Sequence, residues 1–426
     1  MPSFAPLSTR FKKIFAASLF FTLGAGLILV PVTARAEASK NNFFYVLEAE
    51  GLGGYSDIPG HHGTVSSIDS WLVSPTWKLN DKLYWINLYN GSFDRSAQVV
   101  AQEEGGRRAD TTQSHNLSSS LKYNVTDTWS LRPLFFAEWN FVNETADEKF
   151  GKGLYDYHDI GGGIESSWIT QETREQKDEN RLGFRYLNRE YPNYHSLLSL
   201  FDRNSSVEDN EKDLNGYKFN LSHDSRSKEG WSWGLEGIFF YKDYTDKKTI
   251  DLNGIRSGGA RQDYVEYVNA HIAHPLSKEW MFRLDGQFTD NQSNLDFYDT
   301  HNTSTFADDN FLKNYFDYFS FMAKPSLIYT KNIEKDRDFV LTVSYTFDAL
   351  HYPGRKAQDV SGVYQAADEQ DYTHTVTAKT NYPLTKYVSW VVYGSYANAT
   401  SNQKFESFYL YTYESWTAVT GISFKY

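Results

Sequence analysis

Arg181, Arg185 and Arg189 stand four residues apart in one short run. Side chains of an extended chain alternate between two faces, so this even spacing puts all three guanidinium groups on one face. Like charges placed so are tolerated best where an anion visits, which makes the run a candidate for solute recognition. Arg132, Glu138, Glu236, Arg283 and Asp285 are further charges set at alternate positions within strongly aromatic runs. Glu48, Glu50, Lys122, Glu165, Lys218, Lys324, Asp348, Lys379 and Lys425 extend the set, with the two signs nearly balanced. Opposed charges around a narrow aqueous passage polarise its water and favour small hydrophilic solutes. The plainer reading is that they pair with neighbours and keep a wall wet. Trp85, Tyr89, Tyr267, Tyr318 and Tyr393 are expected on the same polar faces, either as stacking surfaces for sugars or packed beneath loops.

Covalent chemistry has little to work with. His158, His271, His274, His351 and His374 are scattered, and none sits in a nucleophile motif, so no catalytic residue is expected. Cysteine is absent, which excludes disulfides, thiolate metal sites and a cysteine nucleophile. Asp296, Asp299, Asp308 and Asp309 could offer oxygens to calcium but lack EF-hand spacing and read better as a solvated charge run. No metal and no cofactor are expected. A formal net charge of -12 argues against nucleic acid as a partner.

The elements that carry these residues are strands. Trp129, Leu131, Pro133, Phe135, Ala137, Trp139 and Phe141 share one face, with Arg132, Glu138 and Asn140 on the other. Trp231 to Tyr241, Trp280 to Phe288 and Phe339 to Phe347 repeat the pattern. Each apolar face runs for about ten residues, the length a tilted strand needs to cross hydrocarbon. Aromatic residues make up 17% of the 426-residue chain, as interfacial girdles would require. A mean hydropathy of -0.58 argues against a helical bundle in the membrane but not against a barrel with a polar interior. Similar turns recur at Lys78–Tyr84, Asn124–Trp129, His274–Trp280 and Tyr382–Tyr387, each with a small polar residue at the bend and an aromatic nearby.

Strands are expected near 43–55, 65–78, 82–92, 112–123, 128–142, 156–169, 180–190 and 213–224. Eight more fall near 231–243, 262–273, 279–291, 314–329, 338–350, 371–382, 387–398 and 408–426. That even number permits closure with both ends on the short-turn side. The fold class is therefore all-β: one closed antiparallel transmembrane barrel of about sixteen strands, within a range of 14–18. Acidic loops are expected near 93–111, 201–212, 292–313 and 351–370. At the other extreme, Arg10, Lys12 and Lys13 precede an apolar run and the Ala34-Arg35-Ala36 pattern. Residues 1–36 read as a cleaved secretory signal peptide and 37–426 as the barrel.

The ending Gly421-Ile422-Ser423-Phe424-Lys425-Tyr426 resembles the C-terminal signal of Gram-negative outer-membrane β-barrel proteins, with Val419 where a polar residue is usual. The resemblance covers essentially the whole mature chain, is porin-like, and identifies no narrower family. It implies residence in the bacterial outer membrane among lipid and lipopolysaccharide, insertion by the barrel assembly machinery, and Gly421, Phe424 and Tyr426 as the assembly signal. The expected function is passive diffusion of small hydrophilic solutes through a charged lumen, without enzymatic activity. The alternative is an export or assembly pore for polysaccharide or surface protein, working with a periplasmic partner. A homo-oligomer is compatible with either.

Overall fold

In the computed structural model, which describes residues 42–60, 63–102, 105–145, 147–172, 176–194, 210–299, 310–406 and 409–426, the chain is built of strands. The expected signal peptide lies outside these residues. In chain order the strands are β1 (Phe43–Asp57), β2 (Thr64–Lys78), β3 (Leu83–Arg95), β4 (Gln98–Gln102), β5 (Gly105–Ala109), β6 (Thr111–Asn124) and β7 (Trp129–Asn143). There follow β8 (Tyr157–Glu172), β9 (Lys177–Glu190), β10 (Leu214–Arg226), β11 (Ser232–Ile250), β12 (Arg256–Pro275) and β13 (Trp280–Ser293). The last are β14 (Phe297–Asp299), β15 (Asn310–Leu312), β16 (Tyr318–Glu334), β17 (Arg337–Gln358), β18 (Tyr364–Pro383), β19 (Val388–Ser401) and β20 (Tyr413–Lys425). All but β4, β5, β14 and β15 form one closed barrel of sixteen strands, each antiparallel to its neighbours, with β20 returning to β1. The two short pairs, β4–β5 and β14–β15, lie in the connections at the long-loop end.

Closure follows from the turns. In each of the four recurrent turns the small polar side chain caps the bend it occupies. Asn80 accepts from the Lys82 N–H, Thr126 from Trp129, Ser277 from Trp280 and Thr385 from Val388, all at 2.9–3.1 Å. Such side chains satisfy backbone donors that a tight reversal would otherwise orphan. Residue identity at the bend thus sets the register of each hairpin.

The outer face carries the apolar half of the alternation. Phe135, Leu235, Trp233, Phe321 and Ile164 are about half exposed, a costly state in water and a favourable one in hydrocarbon. Two aromatic girdles bound this belt. Near the turns, Trp77 stacks on Trp85 at 4.9 Å and Trp280 meets Tyr329 at 4.9 Å. Toward the loops, Tyr186, Tyr217, Tyr241 and Tyr264 form a continuous chain of rings 5.1–6.0 Å apart. Tyr241 and Trp231, Tyr264 and His274, and Tyr372 and Tyr382 mark the two girdles about ten residues apart, roughly 26 Å of membrane at the usual tilt. This belt between paired girdles is the architecture of an outer-membrane barrel.

Two expectations need correction. The acidic stretch 351–370 is not a loop: β17 and β18 continue beyond the upper girdle and leave only 359–363 as a turn. The stretch 93–111 contains the β4–β5 hairpin. Above the membrane both faces of a strand meet water, so the apolar alternation that reveals strands lower down is lost.

Candidate functional site

The inward face of the barrel is the candidate site, and cross-strand register decides which side chains share it. Arg132 pairs with Glu165, Gly163 with Arg185, and Asp159 with Arg189 on neighbouring strands. All eight candidate lumen residues fall on this face. Trp85 and Tyr89 do not: they pair with Trp77 and Val73 and face outward. On β3 the outward face carries Asn87 between Trp85 and Tyr89 while the inward face holds Tyr84, Ile86 and Leu88, so alternation points the wrong way there. Tyr267, Tyr318 and Tyr393 do face inward, as their partners Thr289, Asn291 and Val419 require.

The three arginines of β9 are not equivalent. Arg181 is held by Glu179 at 3.0 Å, with Asp224 at 3.4 Å. Arg189 makes two hydrogen bonds to Asp159, at 2.7 and 2.8 Å, and lies 4.0 Å over the Tyr157 ring. Among the described residues Arg185 reaches only Glu165, at 4.0 Å, and that carboxylate is already bound by Arg132 at 2.9 Å. Lys218, opposite Arg185 on β10, has its ammonium 4.5 Å from the Phe240 ring and makes no ion pair among the described residues. Two positive charges therefore face the lumen with weak compensation. Of the three arginines expected as a cluster that an anion could visit, Arg185 has the weakest partner, and Lys218 joins it from the next strand.

The remaining candidates are paired. Arg283 chelates Asp285 at 2.6–2.9 Å. Glu236 accepts from Asn269 at 3.1 Å, and Glu138 from the Tyr157 hydroxyl at 3.3 Å. A recess of about 390 Å³ lies among Arg181, Asp224, Glu236, Asn269, His271 and Asp285. Near the turns Lys379 spans to Glu50 and Lys425 to Glu48. Beside these charges the inner wall has apolar ground. Leu187, Leu214, Phe240, Tyr244 and Val265 are buried together, and Leu52, Val391 and Val419 form a second cluster. Val419 is thus an inward anchor at the closing seam.

At the long-loop end β4–β5 folds over the mouth, and Gly106 pairs with Leu410 from the connection after β19. Beneath it a vestibule of about 770 Å³ is lined by tyrosines from both sides of the barrel. Behind that space Arg355 meets Glu369 at 3.4 Å, both fully buried, while Arg261 is chelated by Asp263. Burial pushes the Glu369 carboxyl up to about 7, against the opposing pull of Arg355. The sequence pattern gives no expectation of the vestibule, of these buried pairs or of the hairpin. The Val99-Val100 pair followed by Gly105-Gly106 is the one signal that could have exposed the hairpin. Among the described residues no acidic or histidine cluster could hold a metal; Asp308 and Asp309 lie outside them. Asp296 instead accepts from the Asn314 N–H at 2.8 Å, and Asp299 from the Tyr364 hydroxyl at 2.7 Å.

No family model and no curated protein matches the chain. Among solved structures it is similar to a bacterial polysaccharide outer membrane secretin, at 8% identity, covering 91% of this chain and 100% of that one with a TM-score of 0.44. It is also similar to OmpF of Salmonella typhi in complex with daunomycin, at 12% identity, covering 91% and 98% with a TM-score of 0.43. CdiB from Acinetobacter baumannii matches at 10% identity, with 90% of this chain and 60% of that one covered and a TM-score of 0.44. Likeness at this level says nothing about cargo.

Proposed function

We propose that the chain is an outer-membrane channel through which small hydrophilic solutes diffuse passively. The observation that carries this reading is the inner wall itself: charges of both signs line a closed sixteen-strand barrel, with Arg185 and Lys218 weakly compensated. Barrels of this strand number enclose an aqueous passage unless it is filled. Weakly paired cations beside an apolar shelf bias that passage toward anions and neutral polar molecules, because water-filled narrow passages screen such charges poorly. The β4–β5 hairpin narrows the mouth at the long-loop end. Planar-bilayer recording of the purified barrel tests the proposal. Ohmic single-channel steps are expected; a barrel that is folded, as judged by heat-modifiable gel mobility, yet electrically silent overturns it.

A further inference from the structure

The vestibule under the hairpin has a composition unlike the rest of the lumen. Tyr157 and Tyr191 stand on one side, 5.4 Å apart and inclined at 48°, and Tyr318 and Tyr413 come from strands on the other. Phenol rings offer flat apolar faces with a hydroxyl handle at the edge, which suits ligands that are themselves apolar on one face and polar at the rim. A volume of about 770 Å³ lies within the roughly 300–1,000 Å³ of ordinary small-molecule sites.

The polar groups narrow the choice. Asp348 and Asp371 both line the space. A purely apolar ligand leaves both carboxylates without a donor, and an anion is opposed by them. An uncharged polyol supplies donors without charge, and a pyranose ring also presents a face of C–H groups to the tyrosines.

We propose that this vestibule is a capture site for neutral oligosaccharides, entered from the long-loop end. The proposal builds on the channel reading, since captured sugar then descends the lumen. Tyr318 and Tyr413 act as stacking surfaces and Asp371 as the hydroxyl acceptor. The hairpin residues Val99 and Val100 close the space from above. Because the lining is asymmetric along the barrel axis, sugar added on the long-loop side binds more readily than sugar added on the turn side.

Maltotriose is the probe. Two readouts separate this proposal from the channel reading: current interruptions in planar bilayers, and calorimetric binding to the barrel in detergent. Maltotriose is expected to interrupt the current reversibly and to bind in detergent. The double variant Tyr318→Ala/Tyr413→Ala should weaken binding at least tenfold, while Tyr318→Phe/Tyr413→Phe, which keeps the rings, retains most of it. Tyr372→Ala, on the outer face, should change nothing. Trigalacturonate should bind at least tenfold more weakly than maltotriose; equal or tighter binding overturns the neutral assignment. A conducting barrel that ignores maltotriose in both readouts refutes capture and leaves the channel reading intact. A silent barrel that binds maltotriose does the opposite. Heat-modifiable mobility confirms that each variant is folded.

Discussion

The Lys379 ammonium lies 2.7 and 2.8 Å from the two carboxylate oxygens of Glu50, joining β18 to β1 across the inner face of β19 and β20. The residues are 329 apart in sequence, so the contact exists only once the barrel has closed. It reinforces the seam from inside, beside the Lys425–Glu48 pair, the packing of Leu52 on Val419 and the backbone pairing of β20 with β1. Partial exposure limits its worth to about 1 kcal/mol. A double-mutant cycle with Lys379→Ala and Glu50→Gln should return a coupling of that size in the midpoint of heat-modifiable gel mobility. Additive effects would show that the seam holds without it.

Ion selectivity should respond to Arg185 and not in the same way to Arg189. Arg185→Glu reverses a weakly compensated charge and should move the zero-current potential under a salt gradient toward cations. Arg189→Glu instead leaves Asp159, 3% exposed in its side chain, beside a like charge. Breaking a buried pair costs about 3–5 kcal/mol, so that variant should lower the folded yield first. Equal shifts in selectivity from two equally folded variants would contradict this ranking.

The hairpin β4–β5 should limit the current. A side chain at Gly106 would place its Cβ 2.5 Å from the Val99 side chain and 2.9 Å from the Leu410 carbonyl oxygen. Gly106→Val therefore detaches the hairpin from the connection after β19. Conductance should rise, and should rise at least as far when 98–109 are deleted. A folded deletion variant with unchanged conductance would place the narrowest point elsewhere.

Glu369 gives the long-loop end a pH dependence. It lies beyond Tyr372 of the upper girdle, and its folded carboxyl keeps its proton up to about 7. The unfolded chain releases that proton near about 4.3. The folded form thus binds more protons through this window, so stability from the cluster is full below it, falls as pH rises through it, and is flat above about 7. From pH 5 to pH 8 the melting midpoint of the wild type should fall relative to that of Glu369→Gln, on top of the constant offset from the lost partner of Arg355. A wild type that gains on the variant over this range would reverse the sign.

How much of this was legible in the sequence depends on solvent. Within the membrane each strand separates lipid from water, and the alternation fixes bounds such as 112–123 against the observed Thr111–Asn124. Where both faces share a solvent the signal fades. Alternation puts Trp85 on the inner face because Asn87 makes its side of β3 look the wetter one; its indole donates to Ser119 at 2.9 Å on the outside. The extensions of β17 and β18 were hidden, yet their turn carries a local sign. Asp359 accepts from the Ser361 and Val363 N–H groups, and Gly362 has φ 82°. Asp251 to Gly254 repeats the device between β11 and β12. The vestibule has no signature in the sequence because its tyrosines come from β8, β16, β17, β20 and the connections beside them, and only closure brings them together.

The C-terminal residues have a task in the finished barrel that their resemblance to an assembly signal does not reveal. Tyr426 and Leu47 exchange backbone hydrogen bonds at 2.8 and 3.1 Å. The Tyr426 ring stacks 5.4 Å from Tyr45 and meets Tyr387 at 5.0 Å. Gly421 admits no side chain, since its Cβ would lie 1.9 Å from the Gly51 carbonyl oxygen across the seam. Recognition and closure can be separated by folding the denatured chain into detergent micelles without any assembly machinery. Gly421→Val should block closure there, leaving no heat-modifiable species. Deleting Phe424–Tyr426 should lower the folded fraction in micelles, because the seam loses its stack and its last backbone bonds, and should lower insertion in cells further. If the truncated chain folds in micelles as well as wild type, the terminal residues serve recognition alone.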